Sequence, residues 1–144
     1  MLSKNLKDCS SVIVFAATIG VEIDRLIAKY GRISPSKALV IQAIGAERIE
    51  ALCDEFCSDI ANEKKMRLTP RFSPGYGDLP LNIQKNIFDV LDCSKRIGLT
   101  LNDSLIMSPS KSVTAFVGVS HGEVIEKNKC SLCDKTDCAY RGTI

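Results

Sequence analysis

The sequence predicts an α+β fold with long helices and a twisted, largely antiparallel sheet. Helical periodicity occupies the middle of the chain, and extended apolar segments lie on either side of it. A turn signal between alternating segments follows the last helix. Segregated helices and strands of this kind are typical of α+β layers. A length of 144 residues with 45% hydrophobic residues is sufficient for one core. We therefore divide the chain into a core of residues 1–126 and a polar, cysteine-containing tail of residues 127–144.

Charge and cysteine content narrow the classes of function. Nineteen basic and seventeen acidic side chains give a net charge of +2, which does not favour nucleic acid or a membrane surface as a partner. No apolar run approaches the ~20 residues of a transmembrane helix. The seven cysteines are an odd number, and several of them lie within helical or strand patterns. This usage favours a reducing compartment, so we expect a cytoplasmic protein.

The apolar segment of residues 11–21 has two interpretations. Its length resembles the apolar region of a signal peptide. However, Asp8 interrupts the basic part before it, the run is rich in β-branched residues, and no small-residue cleavage site follows. We predict a buried first strand over residues 12–17, with a turn at residues 18–20.

Two helices are expected next. Apolar residues at helical spacing predict a helix that ends at Gly31, and Ser34-Pro35 starts a second helix that continues to about Met66, with a bend at Gly45. The second half of this helix carries one apolar stripe, which predicts a core face. The stripe consists of Ile49, Leu52, Cys53, Phe56, Cys57 and Ile60.

The segment of residues 69–80, TPRFSPGYGDLP, is too rich in proline and glycine for a regular element. Its interleaved aromatic and apolar residues favour an ordered loop over a linker. Asp78 is placed to cap the next helix, which Gly98 ends. Extended pieces follow, and Ser108-Pro109-Ser110-Lys111 predicts a hairpin between residues 105–107 and 113–119.

This loop also contains the parts of a small-molecule pocket. Arg71 offers a guanidinium fork for a carboxylate, Tyr76 offers a ring face and a hydroxyl, and Gly75 and Gly77 allow close approach of the backbone. The alternative is an irregular connection in which Arg71 is solvated or caps a helix end.

A second candidate site lies in the tail, where Cys130, Cys133 and Cys138 have a spacing compatible with zinc or an iron-sulfur cluster. Cys93 or His121 could supply a fourth ligand. A redox-active Cys130–Cys133 pair and an inert tail remain alternatives.

Cys53 and Cys57 are one helical turn apart, but they lie on the apolar stripe and are predicted to be core residues. His121 is expected in a surface turn. No paired carboxylates, nucleophile elbow, Walker motif or Rossmann fingerprint is present.

Residues 71–116 resemble the activation domain of vitamin B12-dependent methionine synthase, in its small stand-alone form. The resemblance rests on Arg71-Phe-Ser-Pro-Gly-Tyr76-Gly-Asp-Leu-Pro80, on Leu101-Asn-Asp-Ser104-Leu-Ile-Met107 and on Ser110-Lys-Ser-Val-Thr-Ala-Phe116. It implies that family's fold and an S-adenosylmethionine site. In that site Arg71 lies near the methionine carboxylate and Tyr76 near the ligand, and Phe72, Pro74 and Gly75 supply backbone and shape.

The resemblance further implies a role in reductive activation. Oxidised cob(II)alamin on a partner methionine synthase is reduced by an electron donor and remethylated by S-adenosylmethionine. The chain would orient the ligand's methyl group, which is a positioning role. The sequence does not place an acidic partner for the ligand's ammonium group. A rival hypothesis is a metal or iron-sulfur electron-transfer protein that acts on a corrinoid partner through the tail cysteines.

Overall fold

The computed structural model describes residues 1–120, in which five helices accompany a three-stranded and a two-stranded sheet. This arrangement confirms the predicted α+β class. The boundary proposed after residue 126 lies outside the described residues and stays a prediction. The elements in chain order are α1 Leu2–Asn5, β1 Ser11–Thr18, α2 Glu22–Ile33, α3 Pro35–Lys64, β2 Arg67–Leu68, α4 Ile83–Leu91, α5 Cys93–Ile97, β3 Thr100–Leu101, β4 Met107–Ser108 and β5 Ser112–Ser120.

The larger sheet has the order β1-β5-β2 and is antiparallel throughout. The predicted first strand is confirmed as β1, which pairs with β5 along its whole length, from Ser11 opposite Val119 to Thr18 opposite Ser112. Both strands are rich in β-branched residues, which suit a pleated surface. Ala115 and Val117 of β5 are almost completely buried and form the centre of the core.

The predicted hairpin at Ser108–Lys111 is wrong. β4 pairs with β3, placing Met107 opposite Leu101, whereas β5 pairs with β1 and β2. β1 pairs with β5 from Ser112 to Val119, so the strand that follows the Ser108–Lys111 segment joins the first strand of the chain and not β4.

α2 and α3 form a helical hairpin joined at Ser34. The predicted helix end at Gly31 is wrong, since α2 continues to Ile33. Pro35 sets the boundary instead, because a residue before proline disfavours the helical conformation, and Ser34 is extended at φ −155° and ψ 88°. α3 begins at Pro35 as predicted and is one element through Gly45, whose missing Cβ would lie 2.9 Å from Cγ1 of Ile23. Gly45 therefore permits close packing of the two helices.

The second half of α3 packs against the sheet. Ile49 and Cys53 are buried with Phe15 of β1, so this part of the predicted stripe is confirmed. Leu52 and Phe56 are 39% and 40% exposed and were wrongly assigned to the core. A straight helix on a sheet buries only a narrow line of side chains, and the flanking positions remain half in solvent.

The helix predicted between Asp78 and Gly98 is two helices. Asp92, in the left-handed region at φ 50°, separates α4 from α5, and Gly98 ends α5 as predicted at φ 65°. Asp78 does not cap α4, which begins only at Ile83. Its carboxylate instead accepts a 2.9 Å hydrogen bond from the backbone N–H of Leu2 and pairs with the amino group of Met1. Within residues 1–120 no helix has the length and apolarity needed to cross a bilayer.

Candidate functional site

The proline-glycine loop is fastened to the central strand of the larger sheet. Phe72 and Phe116 exchange two backbone hydrogen bonds of 2.9 and 2.8 Å. Thr69 donates its N–H to the carbonyl of Gly118, and the N–H of Gly118 donates to Oγ1 of Thr69, each at 2.9 Å. Because both contacts go to β5, the start of the loop has a defined position, as expected for an ordered loop and not for a linker.

The tip of the loop closes on itself. The N–H of Tyr76 donates to the carbonyl of Ser73 at 3.1 Å, and that of Gly75 donates to the carbonyl of Leu79 at 2.9 Å. Gly75 has φ +84°, a conformation that side chains rarely adopt. Pro74 is buried beside it. These contacts make a tight turn that presents Tyr76 to solvent.

Arg71 is held by α3. Its Nη2 donates to Oε2 of Glu50 at 2.6 Å, and its Nη1 donates to Oδ1 of Asp54. The arginine side chain is 13% exposed, whereas the two carboxylates are 61% and 74% exposed. Burial by itself lowers the pKa of Arg71, but the hydrogen bonds and charges of its partners outweigh burial and raise the pKa. Arg71 is therefore a fixed positive charge at the edge of a negatively charged surface.

Sequence reasoning missed Glu50 and Asp54 as members of this site. Their spacing of four residues places both on one face of α3, beside the core stripe. That spacing is a signal for a bidentate acidic pair, but many surface helices show it. Only the packing of the loop against α3 identifies Arg71 as their partner.

The aromatic residues of the loop lie together. The ring of Tyr76 is 68% exposed, and its centroid lies 6.1 Å from that of Phe72 at an interplanar angle of 86°. This edge-to-face arrangement is favourable for aromatic pairs. Phe72 thus supports the tyrosine ring from below, while the tyrosine remains accessible. The structure places all five predicted binding residues in one anchored loop, and their role in ligand binding stays a prediction.

The thiols near this site are structural in character. Cys53 is completely buried, which agrees with its predicted core position. Burial raises the pKa of Cys53 to about 11. Burial also raises the pKa of Cys57, although the nearby Arg71 guanidinium opposes that change. Neutral thiols of this kind are poor nucleophiles and poor metal ligands.

The predicted metal site falls outside the described residues, because Cys130, Cys133, Cys138 and His121 all follow residue 120. Cys93, suggested as a fourth ligand, is 2% exposed in the core. Among residues 1–120 no three His, Cys, Asp or Glu side chains are grouped to hold a metal ion. Zinc, an iron-sulfur cluster and the rival electron-transfer hypothesis therefore have no support from this part of the chain.

Comparison with known proteins identifies a family and a similar solved structure. The model of the family described as "Vitamin B12 dependent methionine synthase, activation domain" matches residues 2–126. The crystal structure of the MetH reactivation domain bound to AdoHcy is similar with a TM-score of 0.63 at 20% sequence identity. The similarity covers 74% of this chain but only 38% of that one, and it supports the fold. Since the family match extends over most of the sequence, the chain belongs to the family of vitamin B12-dependent methionine synthase activation domains.

Proposed function

We propose that the chain binds S-adenosylmethionine at the loop of residues 71–76 and assists the reductive reactivation of a cobalamin-dependent methionine synthase. The partner would be the cobalamin-binding protein, and the compartment would be the reducing cytoplasm. In such a reactivation the oxidised cobalamin of the partner gains an electron and takes the methyl group of S-adenosylmethionine, which leaves S-adenosylhomocysteine. The chain's contribution is to hold and orient the methyl donor.

The arrangement of Arg71 between Glu50 and Asp54 is the observation that carries the proposal. The methionine part of the ligand is a zwitterion with one carboxylate and one ammonium group. Its carboxylate matches the guanidinium fork of Arg71, and its ammonium group matches an exposed carboxylate of α3. On binding, Arg71 would release one of its two carboxylates. The ligand's carboxylate would then pair with Arg71, and its ammonium group would pair with the released carboxylate. This exchange leaves no charge without a partner, which a partly buried site requires.

The loop tip offers a place for the rest of the ligand. Tyr76 presents an exposed ring, and ring faces attract both a positively charged sulfonium and a nucleobase. Gly75 allows the positive φ of this turn, and Cδ1 of Leu81 lies 3.1 Å from the place that its Cβ would take, so the glycine serves the turn and its packing on Leu81. The AdoHcy in the similar MetH structure supports a ligand of this class.

Calorimetric titration with S-adenosylhomocysteine tests the binding site. We expect Arg71→Ala to weaken binding by at least about tenfold, as the loss of a charge-assisted bidentate contact predicts. Arg96→Ala is the matched control, because Arg96 is an exposed arginine on α5 that is not part of the site. Full-strength binding by Arg71→Ala would refute the assignment of Arg71.

A reactivation assay tests the function. The purified chain, S-adenosylmethionine and a reductant are added to a methionine synthase whose cobalamin has been oxidised. We expect methyl transfer to recover with the wild-type chain and with Arg96→Ala, and not with Arg71→Ala. An unchanged rate with the wild-type chain would exclude the proposed role even if the ligand binds.

A further inference from the structure

The paired ends of α2 and α3, residues 25–46, form a surface outside the core that we name the α2–α3 tip. α2 has no buried residue, and the first buried residue of α3 is Gly45. Several large apolar side chains of the tip are nevertheless exposed. They are Leu26 at 41%, Ile33 at 69%, Leu39 at 71%, Val40 at 57% and Ile44 at 51%. A concentration of exposed large apolar side chains on two paired helix ends is typical of an interaction surface.

A groove runs between the two helices of the tip. It has a volume of about 360 Å³ and is lined by Tyr30 of α2 and by Ser36, Lys37, Val40 and Ile41 of α3. The Nζ atoms of Lys29 and Lys37 lie 5.6 and 5.8 Å from the centroid of the Tyr30 ring. The groove therefore combines an apolar floor with two cations at its rim.

The charge of the tip is of one sign. Residues 25–46 contain Arg25, Lys29, Arg32 and Lys37 but no Asp or Glu. Arg25 pairs with Glu22, which precedes the tip. A second copy of the chain, docked tip to tip, would bring like charges together without counter-charges, and such contacts are unfavourable. The cations of this surface favour a partner that carries negative charge.

We propose that the α2–α3 tip binds an acidic amphipathic helix of a partner protein. Apolar side chains of that helix would enter the groove beside Tyr30 and Val40, and its carboxylates would face Lys29, Arg32 and Lys37. Helices that bind in grooves use this combination of apolar anchors and flanking charges. This interaction is separate from the ligand loop at Arg71.

A peptide pair tests the inference on the full chain. One labelled helix of about 18 residues carries a leucine stripe at i, i+3, i+4 and i+7 with glutamate elsewhere, and the other replaces every glutamate by lysine. In a fluorescence anisotropy titration we expect the acidic peptide to bind and the basic peptide not to bind. The affinity of the acidic peptide should fall at high salt, and it should fall about tenfold or more with Lys37→Glu, since like charges then meet.

Val40→Asp should weaken binding in the same way because it places a carboxylate in the groove. Val90→Asp is its matched control, since Val90 is 80% exposed on α4, away from the tip. Thermal unfolding checks that all variants fold, and S-adenosylhomocysteine binding should be the same in each. The proposal is overturned by equal binding of both peptides, by binding of neither, or by binding that both tip variants retain. Tighter association with phosphatidylglycerol vesicles than with the peptide, or a dimer that Val40→Asp disrupts, also overturns it.

Discussion

The guanidinium of Arg71 lies 2.6 Å from the carboxylate of Glu50, although the two residues are 21 positions apart in the chain. This contact, with the parallel one to Asp54, ties the proline-glycine loop to α3. The loop is tied to β5 on its other side through Phe72 and Phe116. The candidate ligand residues are thus held between a helix and a strand, and the preformed geometry lowers the entropy cost of binding.

Removing both carboxylates should destabilise the fold more than the sum of the single changes. Glu50→Gln or Asp54→Asn leaves Arg71 one acidic partner, and we expect each to reduce the free energy of unfolding by less than about 1 kcal/mol, as for exposed ion pairs. The double variant leaves a mostly buried charge without a carboxylate, which should cost about 1–3 kcal/mol. Urea denaturation measures the difference.

The double variant Glu47→Gln/Glu55→Gln provides the matched control for that experiment. Both residues are exposed on the same helix, and the control removes the same charge. It should leave stability within about 0.5 kcal/mol of the wild type. Equal losses in the two double variants would show that the Arg71 contacts contribute nothing specific.

Asp78 should control the attachment of α1 to the loop. Its contacts with the Met1 amino group and the Leu2 N–H lower the pKa of Asp78 from the ordinary value of 3.8. The stabilising contribution is therefore present above pH 3.8 and is lost as the pH falls through the lowered pKa. Asp78→Asn should speed amide hydrogen exchange at Asn5 and Leu6, whose N–H groups bond within α1. Asp89→Asn on α4 is the control and should leave the exchange at these two amides unchanged. Equal exchange rates in the two variants would refute the role of Asp78 in holding α1.

The buried thiol of Cys53 predicts a dependence of stability on alkaline pH. Its pKa is raised by burial to about 11, above the ordinary value of 9.0. The folded state therefore keeps its proton longer than the unfolded chain, and the free energy of unfolding should fall as the pH rises from 9 towards 11. Cys53→Ala should flatten this decline, whatever its effect at pH 7. An unchanged slope in that variant would mean that other groups cause the decline.

Local patterns predicted those parts of the fold that local forces determine. The β-branched run at residues 12–17 and the Ser34-Pro35 start of α3 depend on side-chain shape and on the fixed φ of proline. The pairing of β5 with β1 joins residues about a hundred positions apart, and no turn signal encodes it. The hairpin expected at Ser108–Lys111 therefore competed with a much longer ladder and was not formed.

In the candidate site, too, the sequence predicted what local conformation determines and missed what long-range packing determines. The glycines and proline of residues 74–77 predicted a tight turn because their allowed backbone angles differ from those of other residues. The acidic partners of Arg71 depend on how α3 lies against the loop, so the sequence showed only two carboxylates on an exposed helix face. Asp78 was assigned as a helix cap from the same local information, and its actual partners lie more than 70 positions away.

Gly118 and Gly31 should respond in opposite directions to alanine. A Cβ on Gly118 would lie 2.8 Å from Cδ2 of Leu6 and would also meet Sγ of Cys9, whereas one on Gly31 would meet nothing within 4 Å. Gly118→Ala should therefore cost about 1–3 kcal/mol through overpacking. Gly31 is exposed in the last turn of α2, and Gly31→Ala should add up to about 0.5–1 kcal/mol, because alanine favours the helix.

Denaturant unfolding of both variants measures these values, and titration with S-adenosylhomocysteine links Gly118 to the site. Gly118 and Thr69 share two hydrogen bonds at the start of the loop. Displacement of β5 at Gly118 should therefore shift the loop and lower its affinity for S-adenosylhomocysteine. Gly31→Ala should leave binding unchanged because α2 does not contact the loop through that residue. If Gly118→Ala loses stability but keeps full affinity, the position of the loop does not depend on its attachment at Thr69.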